Sequence, residues 1–250
     1  MTMERRIRFL LRAASTNSYL TERAAEMENG EAAVAFEQTA GRGQRGNSWE
    51  SRPGANLTLS VLLRPEGVDI ARAFPLSEAV AMAAVDLLVR LMPEMKERIA
   101  VKWPNDIYVD NLKIAGILIE NSLSGRMISR SVAGIGVNIN QKEFVSDAPN
   151  PVSVWQLTGR EYPIPVVATM FLDSLDRMLR LMQSLPSQLH LLYMSRLWRG
   201  EGVYPFRDVA SGETFDAQVD SVAESGHITL TDSENRQRTY AFKEIEWLMA

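Results

Sequence analysis

Apolar residues recur along the chain with two different periods, and these periods predict a mixture of strands and helices. Runs bounded by turn residues predict strands at Arg6–Ala13, Ala32–Gln38, Leu57–Leu63, Ala100–Trp103, Ile107–Val109, Lys113–Glu120 and Met127–Asn140. Apolar residues at helical spacing predict helices over Ser15–Asn29, Pro75–Met92, Val166–Met182 and Pro186–Trp198. Loops are predicted over Thr39–Ala55 and Gln141–Pro151.

From Gly202 onward the pattern changes to short apolar stretches that alternate with turn signals. These signals are Ser211-Gly212, Ser225-Gly226 and Asp232–Asn235. A spacing of about ten residues between turns is typical of a small β-barrel or sandwich. We therefore predict an α+β domain, with a mixed β-sheet and flanking helices, over residues 1–198, and a small β-domain over residues 199–250.

The composition limits the chemistry that this chain can perform. Its 250 residues include no cysteine and only two histidines, His190 and His227. Thiol nucleophiles, disulfides, iron–sulfur clusters and cysteine zinc sites are therefore excluded. Two histidines so far apart in sequence also make a histidine triad or metal site a poor prediction. Any catalysis must use lysine, arginine, carboxylate, amide and backbone groups.

Charge and hydrophobicity indicate a cytoplasmic globular protein. The chain is 46% hydrophobic and 23% charged, and its net charge of −4 argues against nucleic-acid binding. The apolar stretch Phe9–Leu11 is cut by Arg12 and is too short for a signal segment. The apolar run Ile114–Ile119 is far below membrane-spanning length. We expect no DNA partner and no membrane partner.

The segment Gly41–Gly46 has the spacing G-x-G-x-x-G, but its context contradicts a dinucleotide-binding loop. Such a loop opens a helix, whereas Asn47–Gly54 has the composition of a loop before a strand, and kinase motifs are also missing. The glycines would free the backbone, so that Trp49 can stack on a base and arginines can fold onto a polyanion. These arginines are Arg42, Arg45 and Arg52. A solvated flexible loop explains the same composition equally well.

Two neighbouring segments place charged groups beside a strand. Lys102–Asp106 is a turn that holds a cation, a ring, an amide and a carboxylate, although taken alone it is better explained as a hairpin turn. Lys113 then opens an apolar strand, where it either snorkels at a sheet edge or faces an anion. Gly116 inside that strand costs stability, which suggests that another group approaches the backbone closely.

The end of the predicted strand Met127–Asn140 has two unlike faces. A period of two divides its residues into Ile135, Val137 and Ile139 on one face and Gly134, Gly136, Asn138 and Asn140 on the other. The first face is interpreted as core, and the second as the floor of a pocket for a polar ligand. Ser15-Thr16-Asn17, at a predicted helix start, offers hydroxyl, amide and backbone N–H groups that suit a carboxylate or a ureido ring, whereas capping alone would use one residue.

Together these segments resemble those of the biotin protein ligases. The resemblance rests on their order and spacing, and above all on K-W-P-N-D followed by K-x-A-G-I-L. The matching segments are Ser15–Asn17, Gln38–Gly46, Trp49, Pro53–Leu57, Lys102–Asp106, Lys113–Glu120 and Gly134–Asn140. The C-terminal strands resemble the SH3-like domain of the family.

The resemblance implies a class II aminoacyl-tRNA synthetase/biotin ligase-like catalytic fold and a reaction in two steps. Biotin and ATP, with Mg²⁺, would give biotinyl-5′-AMP and pyrophosphate. The biotinyl group would then pass to one lysine of a biotin carboxyl carrier protein, such as that of acetyl-CoA carboxylase. The resemblance implies no metal site made by the protein alone, and it allows a homodimer. A loop that orders over the ligand would shield the mixed anhydride from water.

The resemblance also assigns roles to individual residues. Lys113 would be the principal catalytic cation, bridging the biotin carboxylate and the α-phosphate, with Asp106, Arg42 and Arg45 as further catalytic residues. The residues expected to contact biotin or its adenylate are Ser15, Thr16, Asn17, Gln38, Gly41, Arg42, Gly43, Gln44, Lys113 and Gly116.

A further set of residues is expected to bind the nucleotide. Trp49 would stack on adenine and Asn138 would hydrogen-bond the nucleotide. Asn105 and Asp106 would organise the metal or adenylate and the incoming acceptor amine, while Arg45 would clamp a phosphate.

Two features depart from the family pattern. Many members carry arginine where this chain has Gln44, which cannot supply that charge, so adenylate retention depends on whether Arg45 compensates. Only 14 residues precede Ser15, so we expect a monofunctional ligase without the DNA-binding domain of the bifunctional members. The alternatives are a lipoate-type acyl-protein ligase of the related fold and a non-catalytic sensor of biotinyl-adenylate.

Overall fold

The computed structural model describes residues 6–44, 48–145 and 150–248. Within these ranges, the N-terminal part is a seven-stranded mixed sheet with helices on both faces. Its strands are β1 (Ile7–Leu10), β2 (Ala32–Ala35), β3 (Leu57–Leu63), β4 (Ile99–Lys102), β5 (Asp106–Val109), β6 (Leu112–Ser124) and β7 (Met127–Val137). The helices are α1 (Thr16–Arg23), α2 (Phe74–Leu91), α3 (Val154–Thr158), α4 (Ile164–Ser184) and α5 (Pro186–Met194).

The strands of this sheet lie in the order β1-β2-β3-β7-β6-β5-β4. β1 and β2 are parallel, and each of the other neighbouring pairs is antiparallel. One face packs on α2, α4 and α5 and forms the main core. Every second residue of β3 points into this core, namely Leu57, Leu59 and Val61. Because this face supplies the apolar core, the opposite face of the sheet can carry polar groups.

The opposite face of the sheet carries α1, which packs on β2, β3 and β7. Leu20 and Ala24 contact Leu62 and Val132 there, in a second and smaller apolar cluster. Because α1 has eight residues, it covers one part of this face. The part formed by β6, β5 and β4 lies beside the start of α1 and is the floor of a cleft.

The C-terminal part is an antiparallel sheet in the order β11-β10-β9-β8-β12. Its strands are β8 (Tyr204–Asp208), β9 (Thr214–Val222), β10 (Ile228–Asp232), β11 (Gln237–Tyr240) and β12 (Ile245–Trp247). It packs on the first sheet through the indole N–H of Trp103, which donates to the Gly226 carbonyl at 3.0 Å, and through the rings of Trp198 and Trp247, whose centroids are 5.4 Å apart. The two sheets confirm the predicted fold class, and the boundary between residues 198 and 199 stays a prediction.

Several predicted boundaries are wrong, and local packing or hydrogen bonds explain them. The helix predicted over Ser15–Asn29 ends at Arg23, and a 3₁₀ turn follows in which Ala24 is buried as the chain returns towards β2. β7 ends at Val137 rather than Asn140, because the Asn138 and Ile139 carbonyls accept hydrogen bonds from the start of α3, at 3.0 and 2.8 Å.

The helices after the sheet also differ from the prediction. α3 was not predicted. Its start is nevertheless marked in the sequence, because the Ser153 and Gln156 side chains form a capping box. α5 ends at Met194 rather than Trp198, because the next residues run beside β4: the Arg196 carbonyl accepts from the Val101 N–H at 2.7 Å. None of the helices in the described residues is both long enough and apolar enough to cross a membrane.

Candidate active site

A cleft of about 390 Å³ lies on the sheet face that carries α1. Its floor follows one row of paired residues across four strands: Lys102 of β4 pairs with Asp106 of β5, Asp106 with Gly116 of β6, and Gly116 with Gly136 of β7. Neighbouring strands lie about 4.8 Å apart, so the row is roughly 14 Å long. The row connects a polar cluster beside α1 to a group of cations at the far side of the sheet.

The end of the cleft beside α1 is a network of uncharged hydrogen-bonding groups. The Gln38 Oε1 atom accepts from the backbone N–H of Thr16 at 2.8 Å and from its hydroxyl at 3.2 Å. The Ser60 hydroxyl lies 2.7 Å from Thr16 Oγ1 and 2.5 Å from Asn17 Oδ1. Thr16, Asn17 and Ser60 are buried, so the network fixes their orientations and suits an uncharged polar ring.

Gly134 leaves the space that this network needs. A Cβ atom at Gly134 would lie 2.1 Å from Asn17 Oδ1, so a larger residue would displace the amide. Gly134 and Gly136 line the cleft, as the period of two in this strand predicts. Ser60 was not predicted as a site residue, although Thr58 and Ser60 are polar residues at alternate positions of an otherwise apolar strand.

The indole of Trp49 covers the middle of the row. A Cβ atom at Gly136 would lie 2.3 Å from Trp49 Cε2, and one at Gly116 would lie 3.1 Å from Trp49 Cζ3. The close approach predicted from the glycine inside β6 is therefore made by Trp49. The indole N–H is buried and has no hydrogen-bond partner among the described residues, so it is a donor that a ligand can satisfy.

Two ion pairs lie along the cleft. Lys113 Nζ is 2.8 Å from Asp106 Oδ1, and both side chains are mostly buried. The Arg42 guanidinium donates to Glu120 Oε2 at 2.8 Å, and the same carboxylate oxygen accepts from the Asn17 amide at 2.8 Å. Through Arg42, Glu120 thus connects the glycine-rich loop, the segment that starts at Gly41, to the network beside α1. This role was not predicted.

The turn between β4 and β5 is held rigidly against β6. The Asn105 amide donates to the Ile117 carbonyl at 2.8 Å, and the Ile117 N–H donates back to the Asn105 carbonyl at 2.9 Å. The Trp103–Pro104 peptide bond in this turn is cis. The two hydrogen bonds between Asn105 and Ile117 fix the backbone next to Asp106, which lines the cleft.

Lys102 lies at the far end of the row, on an aromatic platform. Its Nζ atom donates to the Tyr108 hydroxyl at 3.2 Å and lies 4.9 Å from the Tyr108 ring centroid and 5.4 Å from that of Trp198. Burial lowers the pKa of Lys102; the Asp106 charge opposes this shift, and the positive charges of Lys113 and Arg199 add to it. Burial and the Asp106 charge raise the pKa of Tyr108 to about 12, so its hydroxyl stays protonated.

The C-terminal sheet forms one wall of the cleft. Lys243, Ile245, Glu246 and Trp247 contribute to this wall. None of these residues was predicted, because their sequence pattern indicates only a turn followed by a short strand.

Most of the predicted site residues come together in this cleft. Those that line it are Ser15, Thr16, Asn17, Gln38, Arg42, Gly43, Gln44, Trp49, Asn105, Asp106, Lys113 and Gly116. Gly41 and Asn138 do not line it: the Asn138 amide donates to the Val152 carbonyl at 3.0 Å, and its Oδ1 is buried without a partner among the described residues. Arg45 lies outside the described residues, so its expected role stays a prediction.

The sequence match covers the segments that build this cleft. Residues 10–138, more than half of the chain, match the biotin/lipoate A/B protein ligase family. The chain belongs to this family. The family segment includes the start of α1, the glycine-rich loop, the turn between β4 and β5, and Lys113.

Curated members of the family match over part of their length. The bifunctional ligase/repressor BirA of Salmonella typhimurium is 39% identical over 136 residues, which are 54% of this chain and 41% of that protein. The biotin–[acetyl-CoA-carboxylase] ligase of Paracoccus denitrificans is 38% identical over 154 residues, which are 60% of this chain and 63% of that protein. The chain thus spans less than two thirds of either relative.

A solved structure in the family matches nearly the whole chain. The biotin protein ligase of Aquifex aeolicus, in complex with biotin and ATP, has a TM-score of 0.77 and 22% identity, with 98% of this chain and 99% of that chain covered. At this identity the likeness shows the fold alone. The shared fold includes the seven-stranded sheet and the C-terminal sheet.

Proposed function

We propose that this chain is a biotin–protein ligase. It activates biotin with ATP to biotinyl-5′-AMP, and it transfers the biotinyl group to one lysine of a biotin carboxyl carrier protein. The observation that carries this proposal is the arrangement of the cleft, in which an uncharged hydrogen-bonding network and a group of cations lie at opposite ends of a glycine-lined row. A ligand with an uncharged polar ring at one end and phosphates at the other fits that order.

The network beside α1 is the candidate site for the biotin ring. Hydroxyl and amide groups of Thr16 and Asn17 line the cleft and provide both donors and acceptors, as a ureido ring requires, while the buried Ser60 hydroxyl holds them in place. Each of these groups already has a protein partner, so the ring would meet oriented dipoles. The names of the curated relatives, which are biotin ligases or bifunctional ligases, support the same choice of acid.

Lys113 and Asp106 are the candidate reacting centre. The biotin carboxylate and the α-phosphate are both anionic, and the Lys113 ammonium can bridge their oxygens and reduce their repulsion. A carboxylate oxygen of biotin then bonds to the α-phosphorus, while the bond from that phosphorus to the bridging oxygen breaks and releases pyrophosphate. Asp106, 2.8 Å from Lys113, would next face the acceptor amine that attacks the biotinyl carbonyl and displaces AMP.

The glycine-rich loop is the candidate shield for the intermediate. Trp49 already lies over Gly116 and Gly136, and Arg42 connects the loop to β6 through Glu120. With the adenylate bound, these contacts would exclude water from the mixed anhydride, and the buried indole N–H of Trp49 would gain a partner.

Mg²⁺ would enter this site together with ATP. No group of three histidine or acidic side chains in the described residues could hold a metal ion. Mg²⁺ commonly binds through one or two carboxylates and the substrate phosphates, and Asp106 fits that requirement. When bound, the ion supplies positive charge to the phosphates. The cytoplasmic location, a homodimer and the nucleotide role of Asn138 stay predictions.

The test is incubation of the chain with ATP, Mg²⁺ and a biotin carboxyl carrier domain, with biotin or lipoate as the acid. Mass spectrometry of the carrier should show one added biotinyl group on its acceptor lysine. A mass gain with lipoate alone would instead assign the lipoate branch of the family. Tight binding of biotinyl-5′-AMP without any transfer would indicate a sensor.

A further inference from the structure

A buried glutamine after β7 connects three segments of the chain. The Oε1 atom of Gln141 accepts from the Asn56 amide at 2.5 Å and from the Arg52 backbone N–H at 3.1 Å. Its Nε2 atom donates to Glu50 Oε1 and to the Glu143 carbonyl, both at 3.0 Å. A glutamine amide has two N–H donors and two lone pairs on its oxygen, so all four hydrogen-bonding positions of Gln141 are used.

The Gln141 side chain is itself fixed on the first sheet. Its backbone carbonyl accepts from the Ser153 hydroxyl at 2.6 Å, and Asn56 Oδ1 accepts from the Ile139 N–H at 3.0 Å. Gln141, Asn56 and Ser153 are all buried. A buried polar network in which every group has a partner is rigid. The amide of Gln141 is therefore a fixed point to which a neighbouring segment can attach.

The segment that attaches to Gln141 comes directly after Trp49. Glu50 and Arg52 belong to this segment, and both bond to the Gln141 amide. Before this segment, the Trp49 backbone N–H donates to the Gly41 carbonyl at 3.0 Å. The indole N–H has no hydrogen-bond partner among the described residues, so packing and the backbone on either side set the place of the ring over the row. Gln141 holds this backbone on one of the two sides.

We propose that Gln141 is a positioning residue, whose amide holds the chain after Trp49 so that the indole stays over the row and covers bound biotinyl-5′-AMP. The proposal rests on the proposed function and adds to it a residue that does not line the cleft. Gln141 would therefore act on a ligand through Trp49. The hydrogen bonds of Thr16, Asn17 and Ser60 go to other groups, so the effect should fall on the adenylate and not on biotin alone.

The first experiment compares Gln141→Met with the wild type and with the control Tyr162→Phe. Methionine is a flexible residue of similar length, but it cannot make the four hydrogen bonds. The control removes the bond from the Tyr162 hydroxyl to the Leu91 carbonyl, at 2.8 Å, which is not part of this network. Labelled biotinyl-5′-AMP should leave Gln141→Met about tenfold faster after dilution into unlabelled ligand, the size of one lost hydrogen bond. The affinity for biotin alone should stay at the wild-type value, and the control should match the wild type in both measurements.

The second experiment measures the position of Trp49 without any ligand. Fluorotryptophan incorporated at the five tryptophans gives fluorine NMR signals, and the signal that is missing from Trp49→Phe belongs to Trp49. Gln141→Met should shift or broaden this signal and leave the other tryptophan signals unchanged. A loss of stability alone would not select one tryptophan.

A variant at the other end of one of these bonds tests the connection from a position that is only partly buried. Glu50→Ala removes the acceptor of a Gln141 Nε2 hydrogen bond. It should also speed the release of biotinyl-5′-AMP. The double variant should release the adenylate at about the rate of Gln141→Met, because both substitutions break the same connection. Additive effects would give the two residues separate roles and contradict the proposal.

Other results would also overturn the proposal. Either an unchanged Trp49 signal or an unchanged release rate in Gln141→Met would show that the amide does not position the ring. Equal losses of affinity for biotin and for the adenylate would assign Gln141 a general structural role. If Gln141→Met does not fold, Glu50→Ala decides by the same two measurements. If the wild type makes no biotinyl-5′-AMP, the proposed function fails, and fluorine NMR alone decides the positioning: a shifted Trp49 signal supports it, and an unchanged one contradicts it.

Discussion

At the scale of single residues, the two cations proposed to act in catalysis are each paired with a carboxylate. Lys113 and Arg42 each contact a carboxylate, at 2.8 Å in both cases. An anion must compete with Asp106 or Glu120 for these cations, so a small anion gains little there. A ligand that also satisfies the uncharged network beside α1 gains from both ends, and this favours the complete substrate over its fragments.

Gln44 allows a test at the level of one side chain. It lines the cleft as a neutral residue, and Gln44→Arg would add a cation that can bind the phosphate of biotinyl-5′-AMP. One charged hydrogen bond should slow the loss of bound adenylate by about tenfold. The measurement is the release of labelled adenylate after dilution into unlabelled ligand, with the exposed Gln188→Arg as control. A release rate equal to that of the wild type would show that Gln44 is not a deficit.

At the scale of elements, α2 and α5 connect the first sheet to the second through a core that contains polar groups. Phe74 at the start of α2 packs edge-on against Tyr193 of α5, with centroids 5.6 Å apart, and also contacts Phe242 of the C-terminal turn. Glu78 of α2 is 3% exposed, and its carboxylate lies 2.8 Å from His190 Nδ1. Substitutions here should change stability more than the chemistry in the cleft.

The Tyr193 hydroxyl provides a test of this packing. It is fully buried, with no hydrogen-bond partner in the described part of the chain. Tyr193→Phe should therefore raise the free energy of unfolding by about 1 kcal/mol, because an unsatisfied hydroxyl is removed. The matched variant Tyr162→Phe removes a hydroxyl that donates to the Leu91 carbonyl at 2.8 Å, so it should lower stability by about 1 kcal/mol. Urea unfolding measures both free energies. An equal loss of stability in Tyr193→Phe and Tyr162→Phe would contradict the conclusion that the Tyr193 hydroxyl is unpaired.

Glu78 makes the same region sensitive to pH. Burial raises the pKa of Glu78, although the contact with His190 acts in the opposite direction. A carboxyl with a raised pKa in the folded state adds stability below its unfolded pKa and loses that stability as pH rises through the folded value. The stability of the wild type relative to Glu78→Gln should therefore fall between acidic and neutral pH. Urea unfolding of both proteins over this range measures it, and a difference that stays constant with pH would contradict it.

At the scale of the whole molecule, the cleft is completed only when two sheets meet. The family resemblance, which rests on the order and spacing of the motifs, was enough to predict that Thr16, Asn17, Gln38, Asp106 and Lys113 come together in one site, and all five line the cleft. The prediction that Gly134 and Gly136 line the floor of the cleft followed from the period of two in a single strand. These features are local, so the sequence contains their signal.

Residues that depend on long-range packing could not be predicted. Ser60 reaches the network because β3 pairs with β7, and Glu120 does so because it accepts a hydrogen bond from Asn17, 103 positions earlier in the chain. Lys243 and Trp247 enter the cleft through the packing of aromatic side chains between the sheets. The early end of α5 has a similar cause, since its last predicted residues instead bond to β4.

In the proposed reaction, biotinyl-5′-AMP forms in this cleft while Lys113 bridges the biotin carboxylate and the α-phosphate. The most direct measurement is the formation of labelled biotinyl-5′-AMP from biotin and α-labelled ATP, without a carrier, by the wild type and by Lys113→Ala. The wild type should form the adenylate, and the variant should form it about 10²–10³ times more slowly with its fold intact, because the charge that bridges the two anions is lost. Adenylate formation at the wild-type rate in Lys113→Ala, or none in the wild type, would contradict the account.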